Sequence, residues 1–524
     1  MRGHHGLEML RASKCLNPAL HQAVAKLIAV NQLPLSFTAS EGFQQFMAVI
    51  EPGYKIIKED ALKRRLNLLA DKLTDKIREK LLKAKSIACT ADLWSSRTQE
   101  SYLTCTTNII DDEWNCETMT LSTQEMEERH TAVNIAKEIN EISDKWGISS
   151  SLSAVVTDNA TNIVNAVSSS NVLEKNNLTC AAHSIQLAVN KSFLMENVAN
   201  VCSKASKIVG HFRHSNVAAK ELETMQEQLE MKQLNLIQSC KTRWNSTYEM
   251  LDRLLVNRIP VMNVLNDRTK TLPSTAQRLE MFEAEWFLID ELVKILKPLQ
   301  VATNLLCSDA HSPVSMVRPL LQAIIKNHLN DDDTDSETAK GVKLIIKTEL
   351  EERFKLIWNQ DCEVNARQIA SLLDPRYKDL CDEHIDARQL IRNKVMAKLQ
   401  NSVPIEDREQ STEADENSNK SALEYIYKTK SYSNMHPLEQ FNTYLAEPQI
   451  RFDMDPFQWW KLRAVRYPAV ADIAKNYLCI PATSASSERT FSTAGNIVTA
   501  KRSCLLPKNV SLLVFLYQNK KMLD

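Results

Sequence analysis

Three acidic residues far apart in the chain stand where a fold could gather oxygen ligands: Asp92 in Cys89-Thr-Ala-Asp-Leu-Trp94, Asp158 in Val155-Val-Thr-Asp-Asn159, and Glu488 in Ser486-Ser-Glu-Arg-Thr-Phe491. Each lies at the edge of an apolar element, and the glutamate opens a short helix after a serine-rich turn. Hard carboxylate oxygens drawn from distant segments suit Mg²⁺, and Mg²⁺ suits phosphoryl chemistry. The chain reads first as a nucleic-acid-processing scaffold. The residues alone leave a plainer alternative open at each position. Asp92 also reads as a strand-end residue, Asp158-Asn159 as an Asx turn capping the next helix, and Glu488 as a carboxylate favoured by the positive end of a helix.

Positioning such residues takes a framework, and the periodicity outlines one. Residues 1 to 85 read as helical, with Ala23 to Val30, Phe43 to Ile50 and an amphipathic run from Glu59 to Lys85. That run sets Leu62, Leu66, Leu69, Leu73 and Ile77 three or four residues apart, a stripe that needs a partner surface. From Ser86 the pattern changes to strands: Ser86 to Trp94, Ser101 to Asp111 and Trp114 to Gln124. A helix Thr131 to Trp146 follows, then a strand Leu152 to Thr157, a short helix after Asn159, a strand Leu178 to Ala182 and a helix Ser184 to Phe193.

Three antiparallel strands followed by alternating helix and strand is the order of a ribonuclease H-like fold, with the first acid on the first strand and the second just past the fourth. Residues 86–193 are read as the first part of that core. Residues 194–436 are read as a large α-helical insertion, with acidic loops near 330–337 and 404–420 expected to be disordered. A sheet domain tolerates such an insertion when its ends stay close together. Residues 437–524 complete the core, so the predicted class is α/β plus α.

Composition narrows the function. With 524 residues the chain should hold roughly three domains of about 150 residues. Only 8 Gly and 16 Pro favour long helices over a turn-rich all-β fold. A net charge of -1 excludes a global basic field, so nucleic acid would be met by local patches, Lys55 to Arg65 or Lys204 to His214. Either run also reads as a solvated helix face. The 12 cysteines stand singly with no Cys-x-x-Cys, and there is no signal-peptide pattern and no apolar run near the ~20 residues of a membrane helix. A reducing cytosolic or nuclear compartment is expected, without disulfides and without a membrane partner.

Other residues carry chemistry more ambiguously. Cys180 and His183 make half of a metal-ligand pattern that His211 and His214 could complete, yet the gap and the missing paired cysteines argue against it, and no zinc is expected. Trp244 beside Arg243 reads, on its own, as a core indole next to a surface guanidinium. Trp459-Trp460 and the apolar helix Val510 to Tyr517 read as core, or as a surface for subunit association.

Taken in order, Thr90-Ala-Asp-Leu-Trp94, Val156-Thr-Asp-Asn-Ala160, Cys180-Ala-Ala-His183, Thr242-Arg-Trp-Asn-Ser246, Leu372-Leu-Asp-Pro-Arg-Tyr377, Phe457-Gln-Trp-Trp460 and Ser486-Ser-Glu-Arg-Thr-Phe-Ser-Thr-Ala-Gly495 resemble the hAT transposase superfamily, most closely its BED-finger-type branch. The resemblance runs from about residue 35 to the C-terminus. It implies a ribonuclease H-like catalytic core interrupted by a helical insertion, a helical N-terminal region at 1–85 that contributes dimer or DNA contacts, and a C-terminal dimerisation region at 437–524. It further implies that Asp92, Asp158 and Glu488 bind two divalent cations, Mg²⁺ in an active enzyme, with His183 in support. Trp244 would stack on a flipped base, a contact worth about 1–3 kcal/mol, and Arg243 would hold a phosphate.

The family's N-terminal BED zinc finger has no counterpart in His4, His5, Cys15 and His21. A host-captured or truncated derivative is therefore expected: a domesticated nuclear protein that forms a homodimer or higher oligomer through its C-terminal region and binds DNA. The alternative is an active Mg²⁺-dependent DDE-type transposase that cuts and joins strands.

Overall fold

The alternating segments after Ser86 cannot bury one face as isolated strands, and in the computed structural model of the chain they close into one mixed sheet. The structure describes residues 2–96, 99–168, 177–240, 242–308, 312–361, 363–401, 435–497 and 505–523, with side chains from residue 17 onward. β1 (Ile87–Ser95) pairs antiparallel with β2 (Ser101–Ile110), and β2 with β3 (Cys116–Glu125). α4 (Ala132–Trp146) then crosses to β4 (Leu152–Thr157), which runs parallel to β1, and α5 (Thr161–Ser168) leads to β5 (Asn177–Thr179), parallel to β4. The order is β3-β2-β1-β4-β5.

Local chemistry sets the crossover. Thr131 caps α4 by accepting the Asn134 N–H, and Gly147 ends it at φ 69°. A side chain at that left-handed position would be strained, so glycine closes the helix. β5 stops at Thr179 and the next helix starts at Ala181, earlier than the sequence pattern indicates. The Cys180 N–H donates to Thr157 O at 2.7 Å, the last ladder bond before the chain turns.

Three helices precede the sheet: α1 (Arg2–Asn31), α2 (Glu41–Ile50) and α3 (Glu59–Lys83). The stripe on α3 is buried at Leu62, Leu66, Leu69, Leu73 and Ile77, and Leu81 extends it. Glu59 and Asp60 in its first turn and Lys80 and Lys83 in its last complement the helix dipole. Its partner surface is α1 together with the last long helix, Pro507–Gln518, which also packs on β3. Asn519 pins that helix by accepting the Thr120 N–H and donating to Thr120 O.

The apolar C-terminal features are thus consumed inside the chain. Val510, Leu513, Val514 and Leu516 are buried, and Trp460 stacks on Trp114 with centroids 5.4 Å apart. The core reading holds for these side chains, while Leu512 and Phe515 on the same helix stay half-buried.

The chain divides into two compact units: a sheet unit of residues up to 180 with 435–440 and 455 onward, and a helical unit of 181–401 with 441–454. This differs from the division at 193/194 and 436/437 expected from sequence. Helix Ala181–Ser192 packs against helices Glu283–Leu306 and Glu337–Phe354, which ties it to the helical unit. Residues 441–454 join that unit as well, where Tyr444 is buried and its hydroxyl donates to Leu372 O.

The acidic stretch near 330–337, expected to be disordered, is an ordered turn. Asp332 accepts from the Thr334 N–H and hydroxyl, Asp335 pairs with Lys343, and Ser336 caps the following helix while bonding Glu291. Composition counted the charges but not the donors that satisfy them. The stretch near 404–420 lies outside the described residues.

The Leu372-Leu-Asp-Pro-Arg-Tyr377 motif is structural here. Asp374 is fully buried, accepts from Ser315 Oγ, and receives the Arg376 guanidinium on both carboxyl oxygens at 3.0 and 2.7 Å.

Candidate functional site

The two early aspartates are neighbours because their strands are. β1 and β4 are parallel, with Ala91 paired to Thr157, so Asp92 within β1 and Asp158 just past the end of β4 each follow one residue later on adjacent strands. Strand spacing of about 4.8 Å brings them side by side across 65 intervening residues. Asp92 is only 5% exposed, and its carboxylate accepts the Leu93 N–H at 2.9 Å. Asp158 is half-buried and accepts the Ala160 N–H at 3.0 Å, the Asx turn that was its plainer reading.

Glu488 arrives from the other end of the chain. It is exposed in the first turn of helix Ala485–Ile497, which packs on β1 and β2. Hydroxyls fasten that turn to the sheet: Thr90 to Ser487 at 2.7 Å, Thr106 to Ser486 at 2.8 Å, and Thr90 to Thr106 at 2.7 Å. Beneath it, the Ser484 N–H donates to Cys180 Sγ at 3.4 Å, and Phe491 lies against Trp94 with centroids 5.6 Å apart. Thr90 stands two residues before Asp92, hence on the same sheet face.

Sequence reasoning missed this hydroxyl cluster, although the serine-rich turn and the period-two spacing of Thr90 and Asp92 were both visible.

Asp92 feels the other two carboxyls. Asp92 is pushed up to about 8, first by burial, then by the negative charges of Asp158 and Glu488, against the small opposing pull of the Leu93 N–H. Near neutral pH its proton stays on. Among the described residues, however, no three His, Cys, Asp or Glu side chains are grouped closely enough to hold one ion. The expected three-carboxylate metal site is present as an acidic neighbourhood and not as a formed ligand shell, with Asp92 and Asp158 each turned to a backbone N–H and Glu488 in solvent. In kind the donors still fit Mg²⁺: hard oxygens whose mutual repulsion a divalent cation would relieve.

Three family descriptions match the chain. Residues 90–184 match the ZBED1 RNase-like domain, 178–294 the ZBED1 RNase-like helical domain, and 440–520 the hAT family C-terminal dimerisation region. Relatives align over nearly the whole chain. A Zea mays protein named "Putative AC transposase" is 24% identical over 93% of this chain and 63% of its own length. Zinc finger BED domain-containing protein 4 of Homo sapiens is 24% identical over 95% of this chain and 43% of its own length. Zinc finger BED domain-containing protein RICESLEEPER 3 of Oryza sativa subsp. japonica is 22% identical over 94% of this chain and 68% of its own length.

Together these matches support a resemblance to hAT-type transposase proteins. The chain spans about three-fifths of the maize relative and less than half of the human one. The RNase-like match runs from within β1 through β5 and hence takes in both aspartates, while the dimerisation match carries Glu488.

The remaining residues singled out by sequence lie in the helical unit. His183 is half-buried on helix Ala181–Ser192. Arg243 is exposed at the N-cap of helix Trp244–Val256. Trp244, expected to stack on a flipped base, is instead 3% exposed and presents no open indole face; the apolar ring has gone to the core, as residue type alone favoured. Charge in the two basic runs is partly matched, Lys63 by Glu59 at 2.8 Å and Lys204 by Glu285 at 2.6 Å. No described helix is long and apolar enough to cross a membrane.

Proposed function

We propose that this is a domesticated, nuclear hAT transposase-derived protein that self-associates through residues 440–520 and binds DNA, using a ribonuclease H-like core as a scaffold. The observation that carries this reading is the pairing of a matched dimerisation region with acids that do not close into a ligand shell. The buried Trp244 supports it further, since base stacking needs a free ring face. The names of the relatives, a transposase and zinc finger BED domain-containing proteins, support DNA as the partner and the nucleus as the place.

One observation favours a second reading, Mg²⁺-dependent strand cleavage: two distant aspartates and a late glutamate meet electrostatically around one buried carboxyl. A divalent cation bound there would lower the pKa of an attacking water or hydroxyl and stabilise the leaving oxygen. For that, Asp92 has to release its proton and the Leu93 N–H, Asp158 has to turn from the Ala160 N–H, and Glu488 has to swing in from solvent. The Thr90, Ser486 and Ser487 hydroxyls would keep the glutamate's turn in place meanwhile.

The test is a plasmid-nicking assay with magnesium, run beside light scattering and a gel shift. The expected result is a dimer at micromolar concentration, a DNA shift that Asp92→Asn leaves intact, and no magnesium-dependent nicking by either protein. Nicking by the wild type that Asp92→Asn abolishes would establish the second reading. A strictly monomeric protein would overturn the first.

A further inference from the structure

The dimerisation region contributes a wall to an unfilled cavity. Helix Pro507–Gln518, α3, β3 and α4 line an open cavity of about 460 Å³ in the sheet unit, whose apolar part is Ala70, Leu121, Trp146, Leu512 and Phe515 and whose rim is polar. This is the size range in which proteins hold apolar ligands or anchor side chains. Its floor is aromatic, with Trp146 and Phe515 tilted against each other at 6.3 Å. Trp146 is 5% exposed and forms part of the lining.

The same unit carries an apolar stripe with nothing on it. α2 buries Phe43 and Met47 on one side and exposes Phe46 (59%), Val49 (81%) and Ile50 (61%) on the other. Their spacing of i, i+3 and i+4 is that of a helix presenting anchors to a groove. Three large apolar side chains contiguous on one helix face mark an interaction surface more than a solvated one.

We propose that the stripe Phe46, Val49, Ile50 of one copy docks into the Trp146–Phe515 cavity of a second copy, and reciprocally. The occupant is a second copy because the cavity's wall belongs to the matched dimerisation region and because one chain supplies both complementary halves. A two-fold axis makes each copy give its stripe and take its partner's, which doubles the buried area for one pair of surfaces. This inference rests on the self-association reading and names the surface that performs it.

Light scattering and sedimentation on the full chain test it. Phe46→Asp/Val49→Asp changes only exposed positions and is expected to weaken self-association by about 100-fold with an unchanged melting temperature. Ser511→Trp fills the cavity and is expected to do the same. Mixing the two defective variants is expected to restore a heterodimer, because an intact stripe then meets an intact cavity once per pair.

A wild-type dimer that both variants preserve would overturn the docking while leaving self-association in place. Two monomeric variants that do not complement would overturn the pairing of stripe with cavity. A monomeric wild type would overturn the underlying reading together with this one.

Discussion

Without divalent cation, Asp92→Asn is expected to be more stable than the wild type at pH 8 and indistinguishable from it at pH 4. Asp92 is held at about 8 by burial and then by Asp158 and Glu488, against 3.8 for an unperturbed aspartate. The unfolded chain therefore loses this proton near pH 4 while the folded chain keeps it to about pH 8. The folded state binds more protons across that interval, so stability falls as pH rises through it. At about 1.4 kcal/mol per pH unit the loss at pH 8 is on the order of 5 kcal/mol as an upper bound.

Asparagine keeps an oxygen for the Leu93 N–H and carries no charge to bury. Urea unfolding over a pH series checks this. A variant less stable than the wild type at pH 8 would show that the carboxylate is solvated or already compensated. Magnesium added at pH 8 reverses the ranking if Asp92 ligates it, because the cation then stabilises the wild type alone.

Asp374→Ala is expected to destabilise the helical unit by about 3–5 kcal/mol, the usual consequence of leaving a buried charge without its partner. The Arg376 guanidinium is 6% exposed and directs two N–H groups at Asp374, and Ser315 Oγ donates to the same carboxyl. Removing the acid takes the acceptor from these donors and from the Arg376 backbone N–H as well. Replacing both charges, Asp374→Leu with Arg376→Met, is expected to cost less than Asp374→Ala, because no unpaired charge stays buried. Denaturant titration of the three variants decides it. An unshifted midpoint for Asp374→Ala would mean that the motif's charges reach water in solution.

That motif shows how far a sequence carries an argument about role. Leu372-Leu-Asp-Pro-Arg-Tyr377 helped to mark the family resemblance, but nothing in its spacing distinguishes a buried ion pair from an exposed binding site. Trp244 posed the same question, and burial answered it for the core. The acidic turn near 330–337 erred in the other direction. Net charge predicts repulsion, while the partners that ordered it, Lys343 and Glu291, come from two different helices.

By itself the sequence determined what short-range periodicity encodes: the α3 stripe, the three antiparallel strands, α4 and β4, and the residue types able to hold a cation. Those follow from repeats of 3.6 and 2 residues, which act over one element and are legible there. Only the tertiary structure decided that Thr90, Ser486 and Ser487 fasten the turn of Glu488 to the sheet across nearly four hundred residues, and that Asp158 and Glu488 add to the charge cost of the buried Asp92 without the three forming a shell. It also decided that the C-terminal apolar helix packs on both β3 and α3. Distances between segments far apart in the chain arise from packing the whole core at once, and no local pattern records them.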